Sequence, residues 1–174
     1  MNIKDELSHF IKQYGGELLG YGSHGCVFGP NYKCNIDDIQ DENLISKIIP
    51  KSHSYEEYYN IIKLNINLID SYDKFFVIPI NICELKEAFL NEEFKTCPII
   101  LKKKFETDDL FNIIQPYAGV DLSKIIRSSN MLAKYIPDPN KVLLHFLNLL
   151  IGLSLLNKYD CVHRDIKPGN ITLL

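Results

Sequence analysis

Asp165, Lys167 and Asn170 stand close together in the run Val162-His163-Arg164-Asp165-Ile166-Lys167-Pro168-Gly169-Asn170. An aspartate held in a short loop can take the proton from a hydroxyl as that hydroxyl attacks phosphorus. A lysine two residues on can steady the charge of a transferred phosphoryl group. An asparagine five residues after the aspartate can offer its carbonyl oxygen to Mg2+, a hard cation that prefers oxygen ligands. His163 and Arg164 would fix the loop rather than do chemistry. The bland alternative is a polar turn after a buried helix. So many specified residue types in so short a run argue against it.

Two further stretches need elements to position them. Leu19-Gly20-Tyr21-Gly22-Ser23-His24-Gly25-Cys26-Val27 spaces its glycines so that a hairpin can lie close over phosphates, with backbone N–H groups aimed at anionic oxygens. The same spacing marks dinucleotide-binding turns, but those open a helix. Here Val27-Phe28 and then Gly29-Pro30 follow, which predicts a returning strand. Lys47 lies inside the apolar run Leu44–Ile49, where an ammonium needs a partner because burying it alone is costly. Ser54-Tyr55-Glu56-Glu57 opens a helical pattern through Ile61, Ile62, Leu64 and Ile69. Ser54 and Glu57 also fit a capping box, which would take the Glu57 carboxylate to the helix's own backbone.

Together these motifs resemble the eukaryotic-type Ser/Thr protein kinase family. His163-Arg164-Asp165-x-Lys167-x-x-Asn170 is similar to its catalytic loop, Gly20–Val27 to its G-x-G-x-x-G-x-V loop, and Leu44–Lys47 to its V-A-I-K strand. The resemblance runs from Gly15 to Leu174, and Lys167 is the form found in Ser/Thr kinases. It implies an α+β fold: an antiparallel small-lobe sheet with one αC-type helix, a hinge, and the first helices of the large lobe. It implies transfer of the γ-phosphoryl of ATP to a Ser or Thr hydroxyl of a protein substrate. Asp165 would orient and deprotonate the hydroxyl, Lys167 would steady charge, and Asn170 would hold one Mg2+. Leu19, Gly20, Tyr21, Gly22, Ser23, His24, Gly25, Cys26 and Val27 would cover the nucleotide. Lys47 would hold its α- and β-phosphates and pair with Glu57; if Glu57 caps the helix instead, Glu56 forms the pair or no pair forms. Backbone groups around Gln115 and Tyr117 would bond the adenine edge, Ile114 would stand at the gate of the back pocket, and Asp121 would reach the ribose.

Two residues depart from the family pattern. Ile45 replaces the usual Ala two before the Lys, which predicts pressure on the adenine site. Thr172 stands where a larger apolar residue usually packs. The D-F-G motif, which the resemblance places about a dozen residues after Asn170, would fall past Leu174, and no D-F-G occurs in the chain. The resemblance thus implies a truncated kinase domain, completed by further sequence or by a second chain. The alternative is a non-catalytic nucleotide-binding or scaffolding pseudokinase fragment.

Composition is consistent with a globular domain. The 174 residues are 46% hydrophobic and 24% charged, enough for a real core. A net charge of −3 gives no reason to expect nucleic acid or an anionic membrane as partner. The Asn-, Ile-, Lys- and Tyr-rich composition without Trp is similar to that of proteins from AT-rich genomes, giant DNA viruses among them. Cys26, Cys34, Cys83, Cys97 and Cys161 are odd in number and lack a C-x-x-C. They are expected to be reduced thiols of an intracellular, cytoplasmic protein, in host cytoplasm or virion if viral, with Cys26 a small packing residue. The N-terminus lacks the apolar core of a signal peptide. The longest apolar run, Val142–Leu156, is expected to be too short to span a bilayer.

The remaining elements follow in order. Residues 1–14 are an N-terminal extension with an amphipathic helical pattern, 15–115 a small lobe, and 116–174 the hinge and the start of the large lobe. A strand is predicted at Glu17–Gly20. The acidic stretch 31–43 predicts a solvated hairpin loop. Phe75–Ile82 predicts a strand, edge or bulged at Pro79. Residues 83–109 mix acidic and basic patches and predict an insertion between strands, with Lys102, Lys103 and Lys104 on a solvated face. Leu122–Ile136 and Lys141–Lys158 predict helices. The second is apolar almost all round and is expected to be buried on most sides; without covering helices it would expose an apolar patch.

Overall fold

The computed structural model describes residues 16–22, 25–38, 40–53, 58, 69, 71–103 and 105–174. The expected N-terminal helix, Ser23, His24, Glu56, Glu57 and nearly all of the helix predicted from Ser54 lie outside the described residues. The fold is mixed α+β and divides into two compact units, Met1–Lys63 with Ile78–Tyr117, and Leu64–Val77 with Ala118–Leu174.

The first unit is built on a five-stranded antiparallel sheet. Its strands are β1 (Glu17–Tyr21), β2 (Cys26–Gly29), β3 (Leu44–Pro50), β4 (Asn81–Glu84) and β5 (Leu110–Pro116), in the order β1-β2-β3-β5-β4. β3 and β5 carry the β-branched residues that favour a pleated, buried surface, and they pair from Leu44↔Pro116 to Pro50↔Leu110. Side chains alternate across the sheet. Cys26, Phe28, Ile48 and Leu110 share one face, in a cluster with Tyr32, Leu85, Phe94 and Cys97. Val27, Lys47 and Ile113 pair directly across strands and therefore share the other face.

The insertion is a structural layer. Its residues Leu85, Phe94 and Cys97 are buried in the cluster, and Leu90, Ile99, Ile100 and Phe105 pack against it. It forms 3-10 turns and a short helix, α1 (Pro98–Lys103). Phe94 stacks on Phe28 at 6.2 Å between ring centroids, and Tyr32 meets both rings edge-on. The predicted β4 strand begins later than expected. Phe75–Pro79 is not strand, because Tyr72–Lys74 forms a 3-10 turn and pairing starts only beyond Pro79. β4 lies at the sheet edge, as a nearby proline requires.

The loop after β2 is solvated only in part: Asp37, Asp41 and Glu42 are exposed as expected from its charge, but its start turns inward. Asn31, Tyr32 and Cys34 are buried. The Tyr32 N–H donates to Ser46 Oγ at 2.7 Å, and its hydroxyl donates to Asn91 Oδ1 at 2.8 Å. Asp38 accepts from the N–H groups of Cys34 and Asn35, so part of the acidity is spent on the loop's own backbone.

The cysteines correct the sequence expectation outright. Cys26 is bonded to Cys97 and Cys34 to Cys83; Cys161 is free and buried. The partners lie 71 and 49 residues apart, and only the sheet register and the folded insertion bring them together. Cys26 is indeed a packing residue, but a disulfide-bonded one.

The second unit holds a two-stranded ribbon, β6 (Val120–Asp121) with β7 (Thr172–Leu173), and three helices, α2 (Leu122–Ile126), α3 (Ser129–Tyr135) and α4 (Pro139–Lys158). The single helix predicted over 122–136 is therefore two. It breaks at Arg127-Ser128, because the Ser128 hydroxyl caps a new helix by accepting from the Met131 N–H. Asp138 caps α4 in the same way through Asn140.

α4 is not buried on most sides. Val142, Leu143, Leu144, Phe146, Leu147, Leu150 and Ile151 are exposed, and Leu143 reaches 71%. The apolar patch expected of this helix is thus present. Nor is the apolar stretch too short to cross a bilayer: the helix extends it to Asn140–Lys158, which is long and apolar enough by length and composition alone.

Gly119 joins the ribbon to the first unit's last strand with φ +84, and a Cβ there would overlap the Leu173 carbonyl of β7. Gly119→Ala is expected to lower stability by about 1–3 kcal/mol, from the strained φ alone or more with the overlap. A thermal melt that leaves the midpoint unchanged would show that β6 and β7 do not pair.

Candidate active site

The residues that the sequence assigns to a nucleotide lie mostly in the first unit, with Val27 and Lys47 on the sheet face opposite the core cluster. β1 and β2 hold the glycine-rich stretch, closed by the Gly22 N–H donating to the Gly25 carbonyl at 2.9 Å. Gly25 must be glycine, since a Cβ would overlap the Ile48 carbonyl; a Cβ on Gly22 would meet nothing within 4 Å. Lys47 is partly buried in the middle of β3, flanked across the sheet by Val27 and Ile113.

A cavity of about 280 Å3 opens on this unit, lined by Leu19, Gly29, Pro30, Glu42, Ile45 and Tyr117. Of these, Leu19 and Tyr117 were expected from the sequence to line a site; Gly29, Pro30 and Glu42 were not. Ile45 does line the cavity, but its bulk is taken up beside Gly29. A Cβ on Gly29 would stand 3.4 Å from Ile45 Cγ2 and 2.7 Å from Leu19 Cδ1. Ile114, expected at the gate, is buried in β5. Gln115 pairs with Ile45 across β3 and β5. The Tyr117 N–H, expected to face an adenine edge, donates to the Asn43 carbonyl at 2.7 Å.

The second unit carries the Asp165 loop. It follows α4 and is exposed from Val162 to Asn170. Arg164 takes a left-handed backbone, φ 63, which costs about 1–2 kcal/mol for a non-glycine residue and turns the chain sharply at Asp165. The Asp165 N–H donates to His163 Nδ1 at 3.3 Å, so His163 does brace the loop. Lys167 Nζ donates to Asp165 Oδ2 at 2.8 Å. Asn170 Nδ2 donates both to that oxygen and to the Asp165 carbonyl, each at 2.8 Å. Sequence spacing brought these three residues together correctly. The Lys167 ammonium first, then the Asn170 amide, hold the Asp165 carboxyl below its ordinary range against a small opposing effect of desolvation.

Asn170 uses its amide nitrogen on Asp165, so the oxygen on the other branch is the atom suited to a hard cation. Among the described residues no group of three or more His, Cys, Asp or Glu could hold a metal. The fit to Mg2+ therefore rests on that amide oxygen beside the Asp165 carboxylate.

Asp121 serves the fold. Its Oδ1 accepts from the Lys124 N–H at 3.0 Å and from the Ser123 hydroxyl, and Lys124 Nζ lies 3.3 Å from Oδ2. Burial acts to raise its carboxyl, but the Ser123 and Lys124 bonds outweigh burial and hold it low. Thr172 is exposed on β7.

No protein-family profile matches the chain. It is 28% identical over 159 residues to the "Sensor for unfolded proteins in the ER ire1" of Schizosaccharomyces pombe. The match covers 91% of this chain, which spans 12% of that protein's length. The likeness supports a kinase-like relationship, and the mixed α+β fold with its five-stranded antiparallel sheet is compatible with a kinase-like small lobe.

Proposed function

We propose that the chain is part of a protein Ser/Thr kinase that transfers the γ-phosphoryl group of ATP to a protein hydroxyl. The observation that carries this reading is Asp165 held by Lys167 and Asn170 at 2.8 Å. A low pKa keeps Asp165 charged at neutral pH, so its carboxylate can orient a hydroxyl and accept its proton. Lys167 can then turn toward the transferred group as charge builds there. Mg2+, when bound at Asn170 Oδ1, would offset the charge of the phosphates. The cavity under Leu19 and Ile45 would take the base, and Lys47 the phosphates.

A non-catalytic nucleotide-binding module is the second reading. It is favoured by Ile45, which lines the cavity at the position where the kinase family usually has Ala. The test is γ-phosphoryl transfer to a generic Ser/Thr protein substrate with Mg2+, beside Asp165→Asn. The kinase reading expects transfer that the variant loses. Equal rates in the two proteins reject it, and nucleotide binding without transfer selects the second reading.

A further inference from the structure

We propose that the Cys26–Cys97 disulfide is a redox clamp on the glycine-rich hairpin, and that a dithiol reductant, by opening it, weakens nucleotide binding at the first unit's cavity. The effect on binding rests on the nucleotide reading of this site; the clamp does not.

The bond joins the tip end of the hairpin to the insertion. Cys26 is the first residue of β2, directly after the turn closed by Gly22 and Gly25. β1 and β2 supply Leu19 and Gly29 to the cavity that Ile45 and Tyr117 also line. The hairpin ladder is irregular: the register of β1 on β2 shifts between Leu18 and Gly20. β2 meets β3 from Cys26↔Ile48 to Phe28↔Ser46, so the tip lies at the end of that pairing. Cys97 stands between the 3-10 turn Glu92–Thr96 and α1. Side-chain contacts hold this layer to the sheet beside the disulfide: Phe94 stacks on Phe28, and Asn91 accepts from the Tyr32 hydroxyl. A layer of short turns opens locally more readily than a paired strand. Cys26 and Cys97 are fully buried, so a reductant reaches them through that opening.

A thiolate of the dithiol attacks one sulfur of the pair, and the other leaves as a thiolate and takes up a proton. The second thiol of the reductant then closes its own disulfide and releases the first cysteine. Two electrons pass to the protein, giving two cysteine thiols and one oxidised dithiol. The Gly22–Gly25 turn, no longer pinned through Cys26, must then be ordered by the ligand instead of meeting it ordered.

The test follows ATP binding and amide hydrogen exchange of β1 and β2, well below the melting midpoint. It compares the oxidised protein, the protein after dithiothreitol, and the protein reoxidised with glutathione disulfide. Reduction should weaken ATP binding about 10-fold, the cost of ordering the backbone of one residue. It should speed exchange in β1 and β2 and leave β3 and β5 protected, and reoxidation should reverse both changes. Cys34→Ala with Cys83→Ala, which keeps the Cys26–Cys97 bond, should respond like the parent. Cys26→Ala with Cys97→Ala should bind weakly from the start and ignore dithiothreitol. Unchanged exchange once thiol titration shows both bonds open overturns the clamp, as does a response that persists in Cys26→Ala with Cys97→Ala. Faster exchange in β3 and β5 as well makes the bond merely structural and overturns it too. Faster hairpin exchange with unaltered ATP affinity overturns the control of binding. Faster hairpin exchange in a protein that binds ATP in neither state overturns the nucleotide reading and leaves the clamp standing.

Discussion

Asp165→Asn is expected to lower γ-phosphoryl transfer about 10²- to 10⁴-fold, the span that a positioned general base supplies. The substitution keeps shape and one acceptor oxygen, so Lys167 and Asn170 can still bond the side chain. What it removes is the site for the proton. Because the loop is exposed, the fold should survive, and an unchanged thermal midpoint would show that the loss is chemical. Lys167→Ala separates positioning from basicity. The lysine is the foremost cause of the low Asp165 pKa, so its removal lets that pKa rise. The competent form is the carboxylate, present above the pKa and lost as pH falls through it. The acid limb of the kcat/KM profile should therefore move to higher pH in Lys167→Ala, with a reduced plateau. The same sign governs stability: the small contribution of a depressed carboxyl is present above its unfolded pKa and fades as pH falls through the folded one. An acid limb that stays in place while the plateau falls would mean that Lys167 acts on the transferred group alone. An unaltered profile would remove Lys167 from the mechanism.

The parts of the site legible in the sequence are those fixed by short spacing. Asp165, Lys167 and Asn170 lie within one turn of chain, so local geometry brings them together whatever surrounds them. Lys47 stood out in the sequence as a charge inside an apolar strand, and the structure does place it partly buried in the middle of β3. The insertion was not legible. Leu85, Phe94 and Cys97 fall in 3-10 turns without a period of two or 3.6, so no face emerges from the pattern, and the charges between them read as a solvated segment. The loop after β2 misled for a similar reason: Asp38 and Asp41 bond backbone and side chains of their own loop, while Tyr32 goes inward. The break at Ser128 competes with an apolar pattern that continues across it.

Reduction is expected to be the most damaging mild treatment of the first unit. Closing a loop of 71 residues removes conformational entropy from the unfolded chain worth about 4 kcal/mol. The 34–83 loop is nested within the 26–97 loop, so its increment, taken after the first, is smaller because the chain between its ends is already shortened. Cys26 and Cys97 are fully buried in the cluster that joins the insertion to β2, so loss of their bond also frees the layer that covers Phe28. The double variant Cys26→Ala with Cys97→Ala, which leaves no buried thiol unmatched, should melt about 10 °C below the parent. Dithiothreitol should lower the parent by a similar amount and the variant by less. Thiol titration of the unfolded, unreduced parent should find only Cys161, and reduction should release the other four cysteines. Five reactive thiols before reduction, with an unchanged midpoint after it, would restore the reduced state expected from the sequence. The expectation of an intracellular protein drew on reduced thiols, and the paired cysteines remove that ground. The titration therefore also decides whether an oxidising compartment must be sought, since disulfides persist where glutathione and thioredoxin do not keep thiols reduced.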